Sequence, residues 1–94
     1  MEVTARFLGV FRSISGKSKL TIKFKDAILL TETMNRIVEE LPELKRALIC
    51  PELEDPRPNT LILVNGKEIS VLNGLETILK DGDEVVFVPV LHSG

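Results

Sequence analysis

Apolar and polar side chains alternate from the start of the chain, with Val3, Ala5 and Phe7 set against Glu2, Thr4 and Arg6. That period of two predicts a strand with one buried face. The stretch RSISGKS then supplies turn residues. Leu20, Ile22 and Phe24 alternate with Lys19, Thr21, Lys23 and Lys25, which predicts a second strand joined to the first by a hairpin. From Leu30 the period lengthens. Leu30, Met34, Ile37, Val38 and Leu41 recur at helical spacing, while Glu32, Asn35, Arg36, Glu39 and Glu40 fall elsewhere, so an amphipathic helix is expected. Thr31 is the expected cap. Pro42 should stop the helix because it has no N–H and crowds the preceding turn. ELKRAL adds a short further turn.

The second half is punctuated by turns. CPELEDPRPNT, with three prolines and three acids, reads as a connection from helix to strand. In TLILVNGKEISVL, Asn65-Gly66 lies between apolar segments and predicts a type I′ hairpin turn, where both central residues take positive φ. NGLETILKDGD predicts a short turn of helix bounded by Gly74 and Gly82. The unbroken apolar run from Glu84 to about Val88 predicts a strand buried on both sides in mid-sheet, parallel to Val3–Phe7. Pro89 is expected to end its pairing. The order strand, strand, helix, strand, short strand, strand predicts an α+β domain: a mixed sheet of four to five strands with one main helix on one face.

Composition narrows the function. Ninety-four residues make one domain with a modest core. A net charge of −2 provides no general attraction for nucleic acid or an anionic membrane. No apolar run reaches the ~20 residues needed to span a bilayer, and the N-terminus lacks the basic start of a signal peptide, so a cytoplasmic location is expected. The single cysteine, Cys50, has no disulfide partner and reads as a half-buried structural thiol. No paired carboxylates, phosphate loop or nucleophile motif appears, so the chain is not expected to be an enzyme, and no metal site is expected. Lys19, Lys23 and Lys25 read as guards of an edge strand. Phe7, Phe11, Phe24 and Phe87 read as core, not as a base-stacking platform.

Beyond these patterns, the order of elements with a central last strand and a terminal glycine resembles the ubiquitin-like β-grasp fold. ARFLGVFRSISGKSKLTI, with Arg12 and Gly16, resembles the opening of the small subunit of molybdopterin synthase. LVNGKEISVLNGLETILKDGDEVVFVPV resembles the second half of that family and of the sulfur carrier of thiamine synthesis. RPNTLILVNG and the ending Leu91-His92-Ser93-Gly94 resemble the ubiquitin-related modifier, whose tail reads L-H-G-G. The family ends in Gly-Gly; here Ser93 stands at the penultimate place and Gly94 is last.

The resemblance implies a carrier, at most the non-catalytic small subunit of a synthase, with no cofactor bound to it. Its reactive group is the carboxylate of Gly94, which a ubiquitin-activating-type adenylyltransferase joins to AMP from ATP. A sulfur nucleophile then displaces AMP and leaves a thiocarboxylate. Glycine suits this role because a carbonyl without a neighbouring Cβ can enter a narrow site. Residues 89–94 are expected to form a flexible tail on the single domain, reaching at most ~18 Å beyond Pro89. Val90 and Leu91 would give it apolar grip, and His92 reads as a solvated histidine. Three functions remain open. The first is a sulfur carrier in molybdopterin synthesis, with the synthase large subunit or a tRNA-thiolation enzyme as further partner; the opening of the chain favours this one. The second is a modifier joined through Gly94 to lysines, which the L-H-S-G ending favours. The third is a binding domain that uses its sheet and not its tail.

Overall fold

The computed structural model describes residues 1–49 and 55–90. The chain forms β1 (Glu2–Phe7), α1 (Val10–Ser15), β2 (Lys19–Lys23), β3 (Ile28–Leu29) and α2 (Leu30–Glu40). A 3₁₀ turn at Pro42–Leu44 leads into α3 (Lys45–Leu48), and then come β4 (Thr60–Val64) and β5 (Lys67–Glu68). Further 3₁₀ turns at Ile69–Val71 and Gly74–Glu76 precede β6 (Ile78–Leu79) and β7 (Glu84–Pro89).

The main sheet has five strands in the order β2-β1-β7-β4-β5. The first and last long strands are adjacent and parallel, with Ala5 opposite Val85 and Phe7 opposite Phe87. β4 runs antiparallel along the other side of β7. β2 forms an edge, where exposed Lys19 and Lys23 hinder pairing with another chain. β3 and β6 form a separate two-stranded pair.

The alternation in β1 and β2 puts Val3, Ala5, Phe7, Leu20 and Ile22 in the core. Leu30, Met34, Ile37 and Leu41 of the main helix and its end join them there. Three of the four phenylalanines are fully buried, and Phe24 is packed partly against the cluster. The Phe7 and Phe87 rings stack with centroids 5.8 Å apart.

Two turns pin the central strand. Asn65 and Gly66 take φ of 50° and 83°, the two positive values a type I′ turn needs. The Asn65 side chain donates to Asp83 and accepts from the Glu84 N–H, both at 2.9 Å. Asp81 accepts from the Glu2 N–H at 2.8 Å. The Asn-Gly and Asp-Gly-Asp turns therefore lock together and set where β7 enters between β1 and β4.

Several expectations are corrected. β1 and β2 are joined through α1, not a plain hairpin; Phe11, 1% exposed, anchors this short helix to the core. Thr31 does not cap α2, since its hydroxyl donates to the Leu75 carbonyl at 2.7 Å. The helix starts after Leu29, whose N–H donates to the Glu32 carboxylate. The expected helical turn in NGLETILKDGD covers only Gly74–Glu76, and β6 follows. β7 is central but covered on one face. Val85 and Phe87 are buried, whereas Val86 and Val88 are half-buried opposite Leu63 and Leu61 on the open face. Cys50 lies outside the described residues.

Candidate functional site

The candidate site is where the chain leaves the sheet at the end of β7. Pairing does not stop at Pro89, as expected from its missing N–H. Pro89 sits opposite Thr60, and the Val90 N–H donates to the Asn59 carbonyl at 2.9 Å. Proline is tolerated here because the position needs no donor of its own, and the next residue resumes the ladder. Of the expected tail residues, Val90 is described and exposed. Leu91, His92, Ser93 and Gly94 lie outside the described residues.

The Asn59 carbonyl is itself held. The Asn59 and Thr60 N–H groups both donate to the Pro56 carbonyl, at 3.0 and 2.9 Å. The buried Thr60 hydroxyl donates to the Leu48 carbonyl at 2.9 Å, tying this strand start to α3. Asp55 accepts from the Arg57 N–H and guanidinium. Those hydrogen bonds hold its carboxyl below the usual carboxylate range, against a smaller opposing effect of desolvation. A groove of 290 Å³ runs beside this corner, bordered by Arg57, Leu61, Glu68, Ser70 and Val90.

The other side of the exit is made by the turn into α1. The Leu8 N–H donates to the Phe87 carbonyl at 3.2 Å. Gly9 follows with φ 54° and ψ −130°, a conformation that only glycine adopts readily. A Cβ on Gly9 would lie 2.9 Å from Cγ of Pro89. Leu8, Val10 and Ile14 around this turn are 44%, 50% and 38% exposed, so an apolar rim flanks the exit. Neither Gly9 nor Asn59 was identified from the sequence. Their roles depend on contacts with residues far along the chain, and only the glycine just after an alternating strand hinted at a special backbone.

The sequence profile of Urm1 (Ubiquitin related modifier) matches residues 2–94, which includes the whole exit and the ending Ser93-Gly94. The chain belongs to this family. Small archaeal modifier protein 3 of Haloferax volcanii is 33% identical over 91 residues, covering 96% of this chain and 97% of the relative. Small archaeal modifier protein 1 from Methanosarcina acetivorans has a solved structure that superposes with a TM-score of 0.83 at 26% identity, covering 99% of this chain and 96% of that one. A chain in the complex of subunits 1 and 2 of the molybdopterin-converting factor from Helicobacter pylori matches with a TM-score of 0.61 at 26% identity, over 100% of both chains. The ubiquitin-related modifier family thus confirms the ubiquitin-like β-grasp fold for this sheet and helix. It places the chain among small ubiquitin-like modifiers and sulfur carriers.

Proposed function

We propose that this protein works through the carboxylate of Gly94, activated by a ubiquitin-activating-type adenylyltransferase that uses ATP. The observation that supports this most is the way the exit is built. The central strand of the sheet, paired on both sides, carries the chain to Pro89, a backbone hydrogen bond holds Val90, and the family match continues to Gly94. A carboxylate resists attack because of its charge and resonance. In activation its oxygen attacks the α-phosphorus of ATP, a P–O bond forms, and pyrophosphate leaves. The acyl adenylate then has AMP as a good leaving group.

Two fates follow from that intermediate. In sulfur transfer, the terminal sulfur of a persulfide on a partner displaces AMP. A thiol then attacks the inner sulfur, takes up the broken S–S bond as a disulfide, and releases the thiocarboxylate. That is the reading for molybdopterin synthesis, with a synthase large subunit as acceptor. The two-subunit assembly of the Helicobacter pylori neighbour supports it. In conjugation, a lysine amine attacks the activated carbonyl, the C–O bond to AMP breaks, AMP and a proton leave, and an isopeptide bond to Gly94 remains. The full-length likeness to an archaeal modifier supports this second reading. In both, the protein is the group carried and the partner performs the catalysis. The exposed Leu8, Val10 and Ile14 beside the exit would give a partner apolar purchase.

Intact mass after incubation with an activating enzyme, ATP and a sulfur donor tests the proposal. Exchange of one oxygen for sulfur at the C-terminus supports sulfur transfer. Ladders on target proteins support conjugation. Neither product, with an enzyme that activates another family member, would leave the binding-domain reading.

A further inference from the structure

The two sides of the exit form one device. Pro89 has Gly9 against its ring on the β1 side, and Val90 is hydrogen-bonded to Asn59 on the β4 side. We infer that Gly9 and Pro89 are positioning residues, a clamp that fixes the direction in which the chain leaves the sheet and so aims the C-terminus at the adenylating site.

The argument is steric. Proline fixes φ near −65° and restricts the residue before it to extended backbone, so Val88–Pro89 has little freedom. A ring cannot swing aside as a long side chain can. Its only adjustments are pucker and displacement of the backbone that carries it. The ring is seated where Gly9 has no Cβ, and a Cβ there would approach Cγ to 2.9 Å and Cδ to 3.6 Å. Nothing comes within 4 Å of a Cβ built at Gly16, Gly66, Gly74 or Gly82. Among the described glycines, Gly9 is therefore the one that another residue packs against this closely. Gly9 is held by its neighbours in turn. The Leu8 N–H is bonded to the Phe87 carbonyl, and the Gly9 carbonyl accepts from the Arg12 and Ser13 N–H groups at 3.1 and 3.3 Å. Displacing the ring would move Val90 relative to Asn59, and Val90 is the last described residue before the C-terminus. A misplacement of about 1 Å at a reacting group costs on the order of 100-fold in rate.

This inference rests on the activation reading, so the experiment separates the two. Pyrophosphate exchange with an activating enzyme is measured for the parent, Gly9→Ala, Pro89→Ala, the double variant and a Gly94 deletion. Val90 amide hydrogen exchange is measured on the same proteins. Gly9→Ala and Pro89→Ala should each lower kcat by ~10-fold or more, with KM within about threefold, because the body still docks and only the aim is lost. Each should also speed Val90 exchange at least ~10-fold. In the Pro89→Ala background the Gly9 substitution should add less than ~3-fold, since the ring it pushes is gone. Backbone strain at Gly9 persists in both backgrounds and cannot produce that difference. Equal losses from Gly9→Ala in both backgrounds would overturn the clamp, as would a Pro89→Ala protein that exchanges like the parent while the Gly94 deletion is dead. If the Gly94 deletion exchanges like the parent, the activation reading fails. Val90 protection then still decides the clamp, and unchanged protection in both single variants overturns it.

Discussion

Phe87→Ala is the sharpest test of how the core supports the exit. Phe87 is fully buried two residues before Pro89, and its ring stacks on Phe7, its partner across the parallel β1–β7 pair. Truncating a buried phenylalanine costs ~3–5 kcal/mol, because the surrounding side chains close the cavity only in part. A domain of this length has a total stability of roughly 5–14 kcal/mol, so the loss is a large share of what holds the fold. In urea, with a slope of about 2 kcal/mol per M, the midpoint should fall by about 2 M. The stacked pair should also couple. A cycle of Phe7→Leu, Phe87→Leu and the double variant should return ~0.5–1.5 kcal/mol of interaction beyond the single losses. The measurement is equilibrium urea unfolding followed by far-UV circular dichroism. A loss under about 1 kcal/mol for Phe87→Ala, or a cycle that closes at zero, would refute the placement of this ring at the centre of the core.

Leu41→Ala, at the end of α2 where the side chain is 7% exposed, should cost ~2–5 kcal/mol by the same denaturation assay, and a loss under 1 kcal/mol would mean that the helix end does not face the sheet. Asp55 is held below the ordinary carboxylate range by Arg57, so the pair's contribution should be complete above the unfolded value of ~3.9 and lost as pH falls through the lower folded value. Arg57→Met should move the Asp55 carboxyl titration, followed by carbon NMR, back up towards the ordinary range; an unmoved titration would remove Arg57 as the cause.

What the sequence made legible was whatever repeats or needs one special residue. Alternation at Val3-Ala5-Phe7 and Leu20-Ile22, helical spacing from Leu30 to Leu41, and the Asn65-Gly66 turn each correspond to observed structure. α1 was missed because six residues carry one fully buried anchor, Phe11, too few to show a period. The β3–β6 pair has two residues a side and no alternation to read. Thr31 is a good cap by type, but the Leu75 carbonyl offers its hydroxyl a tertiary partner, and Glu32 serves the Leu29 N–H. β7 read as buried on both faces because aliphatic pairs with β4 make its second face apolar, although Val86 and Val88 there are only half-buried. At the site, the family resemblance pointed to the terminal glycine, which lies outside the described residues. The approach of Gly9 to Pro89 was not legible, because the two meet across 80 residues of chain and only the folded sheet brings them together.

We propose that the Gly94 carboxylate is the working group and that the rest of the fold presents it. Pyrophosphate exchange with a cognate activating enzyme, on the parent and on a Gly94 deletion with matched melting curves, tests this most directly. A solvated terminal residue adds almost nothing to the core, so melting should not change. Exchange should be abolished, because Ser93 would bring a side chain and one residue less of reach to the reacting position. A deletion that exchanges as fast as the parent would contradict the account.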